Sequence, residues 1–216
     1  MSECKTIITD VEQLYEWCLE IDPRRQGKLL QEITLALKNT MRENKLEYLT
    51  APQIGYNYRV FCIKFDKNDY RTFVNPQISE NKGIGFERET CNSIPDKVFV
   101  MPRFGNIMLH YVTPLGKVES RRIVGRSATV VQHCIDHLNG LLINDIGMEI
   151  DSDFDNATEE EKTEIIKMYA ESLDLRQKLI EEEIEKDKES KDLKNAIDFV
   201  ASVKTGETQL DTNNTN

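Results

Sequence analysis

His133 and His137 stand four residues apart inside RSATVVQHCIDHLNG. In a helix that spacing puts both imidazoles on one face, about 6 Å apart at their Cβ atoms, within reach of one shared metal ion. The pair alone is also what two unconnected histidines of a surface or a core look like. Asp136 lies between them, placed to accept a hydrogen bond from a ligand imidazole or to cap nearby donors. Cys91, in ETCNSIP, reads either as a thiol buried beside a turn or as a ligand thiolate. Gln53, after Pro52, reads by itself as an ordinary loop amide. The chemistry in prospect is metal-assisted.

Several elements must position these residues. Asp10 is placed to cap a first helix on which Val11, Leu14, Tyr15 and Cys18 recur at three- and four-residue spacing, with Pro23 marking its end. Leu30, Ile33, Leu37 and Met41 share one face of a second helix that follows Gly27. Between Tyr58 and Val124 the pattern shortens to the runs RVFCIKF, RTFVNPQI, KVFVMPRF, NIMLHYV and KVESRRIV, broken by Asn, Asp, Gly and Pro. These predict an antiparallel meander. Gly125 opens the histidine-bearing helix, and Asn139 and Gly140 close it. Helices, then strands, then one motif-bearing helix give an α+β class, with antiparallel β-sheets packed around that helix.

The chain has 216 residues and 39% hydrophobic content; a domain of roughly 150 residues already hides about two-thirds of its unfolded surface. Residues 1–150 therefore read as one domain. Beyond Ile150 acidic side chains dominate. Thr158 and Glu161 have capping-box spacing, and Ile165, Met168, Tyr169, Leu175 and Leu179 make an apolar stripe. Residues 151–204 read as an acidic helical extension, either laid on the domain or binding a protein partner. The polar end 205–216 reads as disordered. No internal repeat is present. A net charge of −10 and a pI near 4.9 oppose binding to nucleic acid or an anionic membrane, and no apolar run is long enough to cross a bilayer. Five cysteines at irregular spacing argue for free thiols in a reducing, cytoplasmic setting.

Three strings converge on one family. QHCIDHLNG resembles the peptide deformylase signature Q-H-E-x-D-H-L-x-G at every stated position except Cys134, ETCNSIP resembles E-G-C-x-S-x-P, and LTAPQIG resembles the end of G-x-G-L-A-A-P-Q-x-G. VNP at Val74 to Pro76 also matches. The resemblance implies that Cys91, His133 and His137 hold one divalent metal, iron or in its place zinc or nickel. Three protein ligands leave a position for water, as hydrolysis requires. It further implies that Gln53 and the backbone N–H of Asn92 face the developing oxyanion. The substrate would be a formylated peptide N-terminus, and the reaction hydrolytic removal of the formyl group from N-formylmethionyl peptides.

The departures are as specific as the matches. In the family the glutamate at position 134 takes a proton from the attacking water and passes it to the departing amine. Cys134 is shorter by roughly 2 Å and its thiol has a reference pKa near 8.5; losing a general acid–base commonly costs about 10² to 10⁴ in rate. A fourth-ligand role for Cys134 is the alternative on its chemistry. Leu46 and Tyr48 stand where glycines would, and Arg126 and Thr129 fall on walls of the family's methionine pocket. Two functions follow as expectations: an impaired deformylase, or an inactive deformylase-fold binding or structural protein within a larger assembly joined through the acidic extension.

Overall fold

The computed structural model describes residues 4–66 and 69–151, and then 154, 156–165, 167, 168 and 171. Strands β1 (Tyr48–Thr50), β2 (Val60–Asp66), β3 (Asp69–Cys91), β4 (Ile94–Val112) and β5 (Val118–Val124) form one sheet in chain order, and β6 (Met148–Ile150) pairs with β4. Every one of these pairings is antiparallel.

Two helices cover opposite faces of the sheet, and β2 shows why. Its residues alternate in direction. Val60 and Cys62 pack in one buried cluster with Leu30, Ile33, Leu37 and Met41 of helix α1 (Gly27–Glu43). Phe61 and Ile63 pack in another with Val131, Cys134 and Leu138 of helix α2 (Arg126–Leu138). With both faces covered, VFCI is buried without a break, which is why the run reads as continuously apolar.

The meander is longer and less interrupted than the sequence predicts. KVFVMPRF and NIMLHYV are one strand, β4, and the polar stretch after Ile78 continues β3 as its partner. Pro102 reads as a breaker, yet β6 pairs with residues 98–100 of β4 and β5 with residues 106–112. Pro102 therefore sits in the gap on that edge where no ladder needs its missing N–H. Asn75 of the VNP string adopts a positive φ of 47°, and its side chain exchanges two hydrogen bonds with the Ile21 backbone, at 3.1 and 3.0 Å.

The first predicted helix is a correction. Only Val11–Leu14 coil, as a 3₁₀ turn, and Asp10 makes no capping bond. Cys18 N–H instead donates to Leu138 O at 3.0 Å, and Leu19 bridges to Tyr58. The backbone groups a helix needed are taken by the end of α2 and by the sheet margin. This docking requires a glycine at 140, where φ is 66° and an added Cβ would lie 2.5 Å from Tyr15 O.

Residues up to Lys162 form one compact unit, with a short helix α3 (Ile143–Ile146) before β6. The capping box at Thr158 is formed: Thr158 N–H donates to Glu161 Oε2 at 2.8 Å and Glu161 N–H to Thr158 Oγ1 at 3.2 Å. Tyr169, Leu175 and Leu179 of the apolar stripe, and the 205–216 end, lie outside the described residues. Among those residues no helix is long and apolar enough to cross a membrane.

Candidate metal centre

Cys91 ends β3, and His133 and His137 lie one turn apart on α2, with Gln132 anchoring the helix to β4. Gln132 Nε2 donates to Phe104 O at 2.8 Å and its Oε1 accepts from Phe104 N–H at 3.0 Å. The thiol and the two imidazoles are buried, with donor atoms all within 4.8 Å of one another. Cys91 Sγ and His137 Nε2 are 3.2 Å apart. Ligand bonds of about 2.0–2.3 Å put two donors of one tetrahedral ion roughly 3.3–3.7 Å apart, so that pair is already close to ligand spacing. His133 Nε2 is buried with no protein partner among the described residues. A sealed ring nitrogen beside a thiol and a second imidazole is the donor set of a thiolate–imidazole metal site, and the residues fit such an ion.

Behind the donors runs a polar relay. His133 Nδ1 bonds to Glu89 Oε2 at 2.8 Å. Glu89 takes Arg103 side-on, Nε at 2.6 Å and Nη2 at 3.2 Å, and Arg103 Nη1 reaches Asp136 Oδ2 at 2.6 Å. The bond to Glu89 places the proton on His133 Nδ1 and leaves Nε2 as the ring nitrogen that could take a metal ion. Asp136 is therefore not the imidazole's partner; it holds the arginine that holds that partner. Glu89 is the residue sequence reasoning passed over, although it opens the matched string ETCNSIP. Burial opposes charge on Glu89, yet His133 and Arg103 hold its carboxyl below the usual range. Burial likewise works against an ionised Cys91, but the two imidazoles bring its thiol down to about 5. His133 is lifted to about 9 against the cost of burial by Cys91 and Glu89. Both shifts thus favour a thiolate beside an imidazolium, an arrangement from which an entering metal ion would displace a proton.

Gln53 is fully buried. Its Oε1 accepts from Thr50 N–H and Oγ1, both at 3.0 Å, while Nε2 donates to Ser93 Oγ at 3.1 Å and lies 3.9 Å from Cys91 Sγ. Asn92, in the turn after Cys91, lines a cleft of about 410 Å³ with Glu47, Tyr48, Glu87, Arg126, Thr129 and His133. Cys134 is elsewhere. It has no exposed surface and packs in the apolar cluster between α2 and the sheet. It is not part of the donor group, and burial pushes its thiol well above the ordinary range. Adjacent helix residues point about 100° apart, so His133 facing the donors turns Cys134 toward the core.

Tyr48 crosses the cleft. Its hydroxyl donates to Thr90 O at 2.9 Å, tying β1 to β3, and its ring stands edge-on to His133 with centroids 5.2 Å apart. At the mouth Arg126 Nη2 meets Glu47 Oε2 at 3.0 Å.

The polypeptide deformylase family profile matches residues 5–151. The peptide deformylase of Dictyoglomus thermophilum is 31% identical over 146 residues, which span 66% of this chain and 95% of that protein. Its counterpart in Dictyoglomus turgidum is 27% identical over 146 residues, with the same coverage. A ligand-bound crystal structure of the class I type b peptide deformylase from Acinetobacter baumannii aligns with a TM-score of 0.62 at 25% identity, covering 67% of this chain and 99% of that one. The matched stretch takes in every strand of the sheet and all three donors, and the chain belongs to the polypeptide deformylase family.

Proposed function

We propose that this chain holds one divalent metal through Cys91, His133 and His137 and hydrolyses N-formylmethionyl peptides at a rate impaired by Cys134. The supporting observation is the burial of the Cys134 thiol among apolar side chains, with no carboxylate in its place. Glu89 is committed to Arg103 and His133, and Glu47 to Arg126. Glu87 shares the face of Glu89 but lies four residues from Cys91, about 13 Å of strand. When bound, the metal supplies a Lewis acid and brings water within range of deprotonation near neutral pH. Gln53, its carbonyl locked by Thr50, turns its amide N–H toward Cys91 as a donor for a developing oxyanion, with the Asn92 backbone N–H as the second. Thiolate and imidazole ligands suit iron, zinc and nickel alike. Five unpaired thiols fit a reducing compartment such as the cytoplasm.

A second reading is favoured by Tyr48, whose bond across the cleft occupies the Thr90 carbonyl. In it the fold is a non-catalytic scaffold, with the acidic segment beyond residue 150 engaging a protein partner. Rescue separates the two. Formate release restored by Cys134→Glu alone means an intact cleft lacking its proton shuttle. Release restored only when Tyr48→Gly and Arg126→Leu are added means a closed cleft. A chain in which no combination releases formate supports the scaffold, and ordinary deformylase rates from the unmodified chain would overturn both readings.

A further inference from the structure

A second cavity, of about 570 Å³, lies at the C-terminal end of α2 and shares no lining residue with the metal cleft. Trp17, Leu19, Ile78 and Ile135 give it apolar walls, and Arg59, Glu20 and Asn139 supply polar groups. Trp17 and Leu19 are 65% and 59% exposed. Arg59 is the opposite, only 8% exposed, with its guanidinium carbon 5.2 Å from the Trp17 ring centroid. Buried charges are ordinarily paired, and burial draws the Arg59 pKa below the usual arginine value. Yet no carboxylate pairs with it among the described residues.

The hydrogen bonds of Arg59 show which part of it is open. Both come from Nη1, to Leu138 O at 3.1 Å and Asn139 Oδ1 at 2.9 Å. Nε and Nη2 have no partner among the described residues and are not sealed from solvent. These two nitrogens form the edge that takes a carboxylate side-on. The same molecule shows that edge filled twice. Arg103 gives Nε and Nη2 to Glu89, and Arg71 gives them to Asp69 at 3.1 and 2.6 Å. Arg59 lines a cavity with an aromatic wall, and its own fork is unfilled among the described residues.

We propose that the cavity lined by Trp17, Arg59 and Ile78 binds a small organic acid, its carboxylate on the Arg59 fork and its flat apolar body against the apolar wall that Trp17 and Ile78 share. Cavities of this size hold small molecules whose orientation is set by a few polar groups. Glu20 shares the lining and weakens anion binding from the rim.

Trp17 is the only tryptophan in the chain, so its fluorescence reads the site directly. The full-length protein is titrated with phenylacetate at neutral pH and fixed ionic strength, with phenylacetamide and inorganic phosphate as controls. The expected result is a saturable change with phenylacetate, and affinity at least about tenfold weaker for the neutral amide, which lacks the charge-assisted pair. Arg59→Lys, which keeps the charge but not the fork, weakens phenylacetate by about tenfold, and Glu20→Gln tightens it a few-fold. No saturable response to phenylacetate, or an equal response to phenylacetamide, overturns the proposal on the unmodified chain alone. Phosphate binding as tightly as phenylacetate would overturn the assignment to an organic acid.

Discussion

Beneath the cleft Arg103, Glu89 and His133 are joined by ion-pair contacts with side chains no more than 6% exposed, whereas at its mouth Arg126 and Glu47 meet with 76% and 65% of their side chains in solvent. The floor matches the family strings residue for residue in its donors and in Glu89. The mouth departs from them at Leu46, Tyr48 and Arg126, and behind the donors Cys134 departs as well. On the proposed reading, holding a metal and turning over a substrate rest on different residues, and a chain can satisfy the first without the second.

Breaking the floor should cost most. Arg103→Met removes the guanidinium shared by the buried Glu89 and the partly buried Asp136, and stability should fall by about 3–5 kcal/mol in denaturant unfolding. A loss near that of a surface pair would show that the relay does not carry the centre. Metal affinity should fall with it, because Glu89, no longer held in place by Arg103, then fixes the His133 ring less firmly.

A pH profile of the metal-stripped protein sharpens the same contrast. Cys91, at about 5 in the fold against an ordinary value near 8.5, contributes stability that is complete above the ordinary value and is lost as pH falls toward 5. His133, at about 9 against an ordinary value near 6.5, contributes stability that is complete below 6.5 and is lost as pH rises through 9. Between about 6.5 and 8.5 the two slopes offset each other. Below 6.5 only the cysteine slope remains, and about 2 kcal/mol should be lost by pH 5. Cys91→Ser should abolish that acid limb in thermal unfolding; a limb that survives it belongs to other groups.

The mouth should respond least. Arg126→Ala removes an exposed pair, and its effect on stability should stay within about 1 kcal/mol, with metal content unchanged. A larger loss would make the mouth part of the folded framework and blur the distinction.

What could be read in advance followed the reach of each signal. Helices α1 and α2 were legible because Leu30, Ile33, Leu37 and Met41, and the two histidines, keep helical spacing against a single surface. The stretch from Val11 to Cys18 imitates that spacing for another reason: Leu14 is buried from a 3₁₀ turn, whereas Cys18 is buried in the cluster beneath α2 from a segment whose backbone is held by Leu138. Long-range pairing left no local trace. The polar run after Ile78 is a strand only because β4 lies beside it, and Pro102 is tolerated only because β5 and β6 leave a gap opposite. The donor strings were visible as strings, but the partnership of His133 with Glu89 joins residues 44 apart in sequence, and Asp136, nearer in sequence, drew the assignment. Cys134 stood out as a departure from a motif; its burial in the core depends on which way the helix faces.

The most direct test measures formate release from a formyl-Met peptide together with metal content on the same purified sample. The account predicts about one divalent ion per chain and turnover at least about a hundredfold slower than a family member with glutamate at this position. A metal-loaded sample that releases formate at ordinary family rates, or one that holds no metal even when zinc or nickel is supplied, would contradict it.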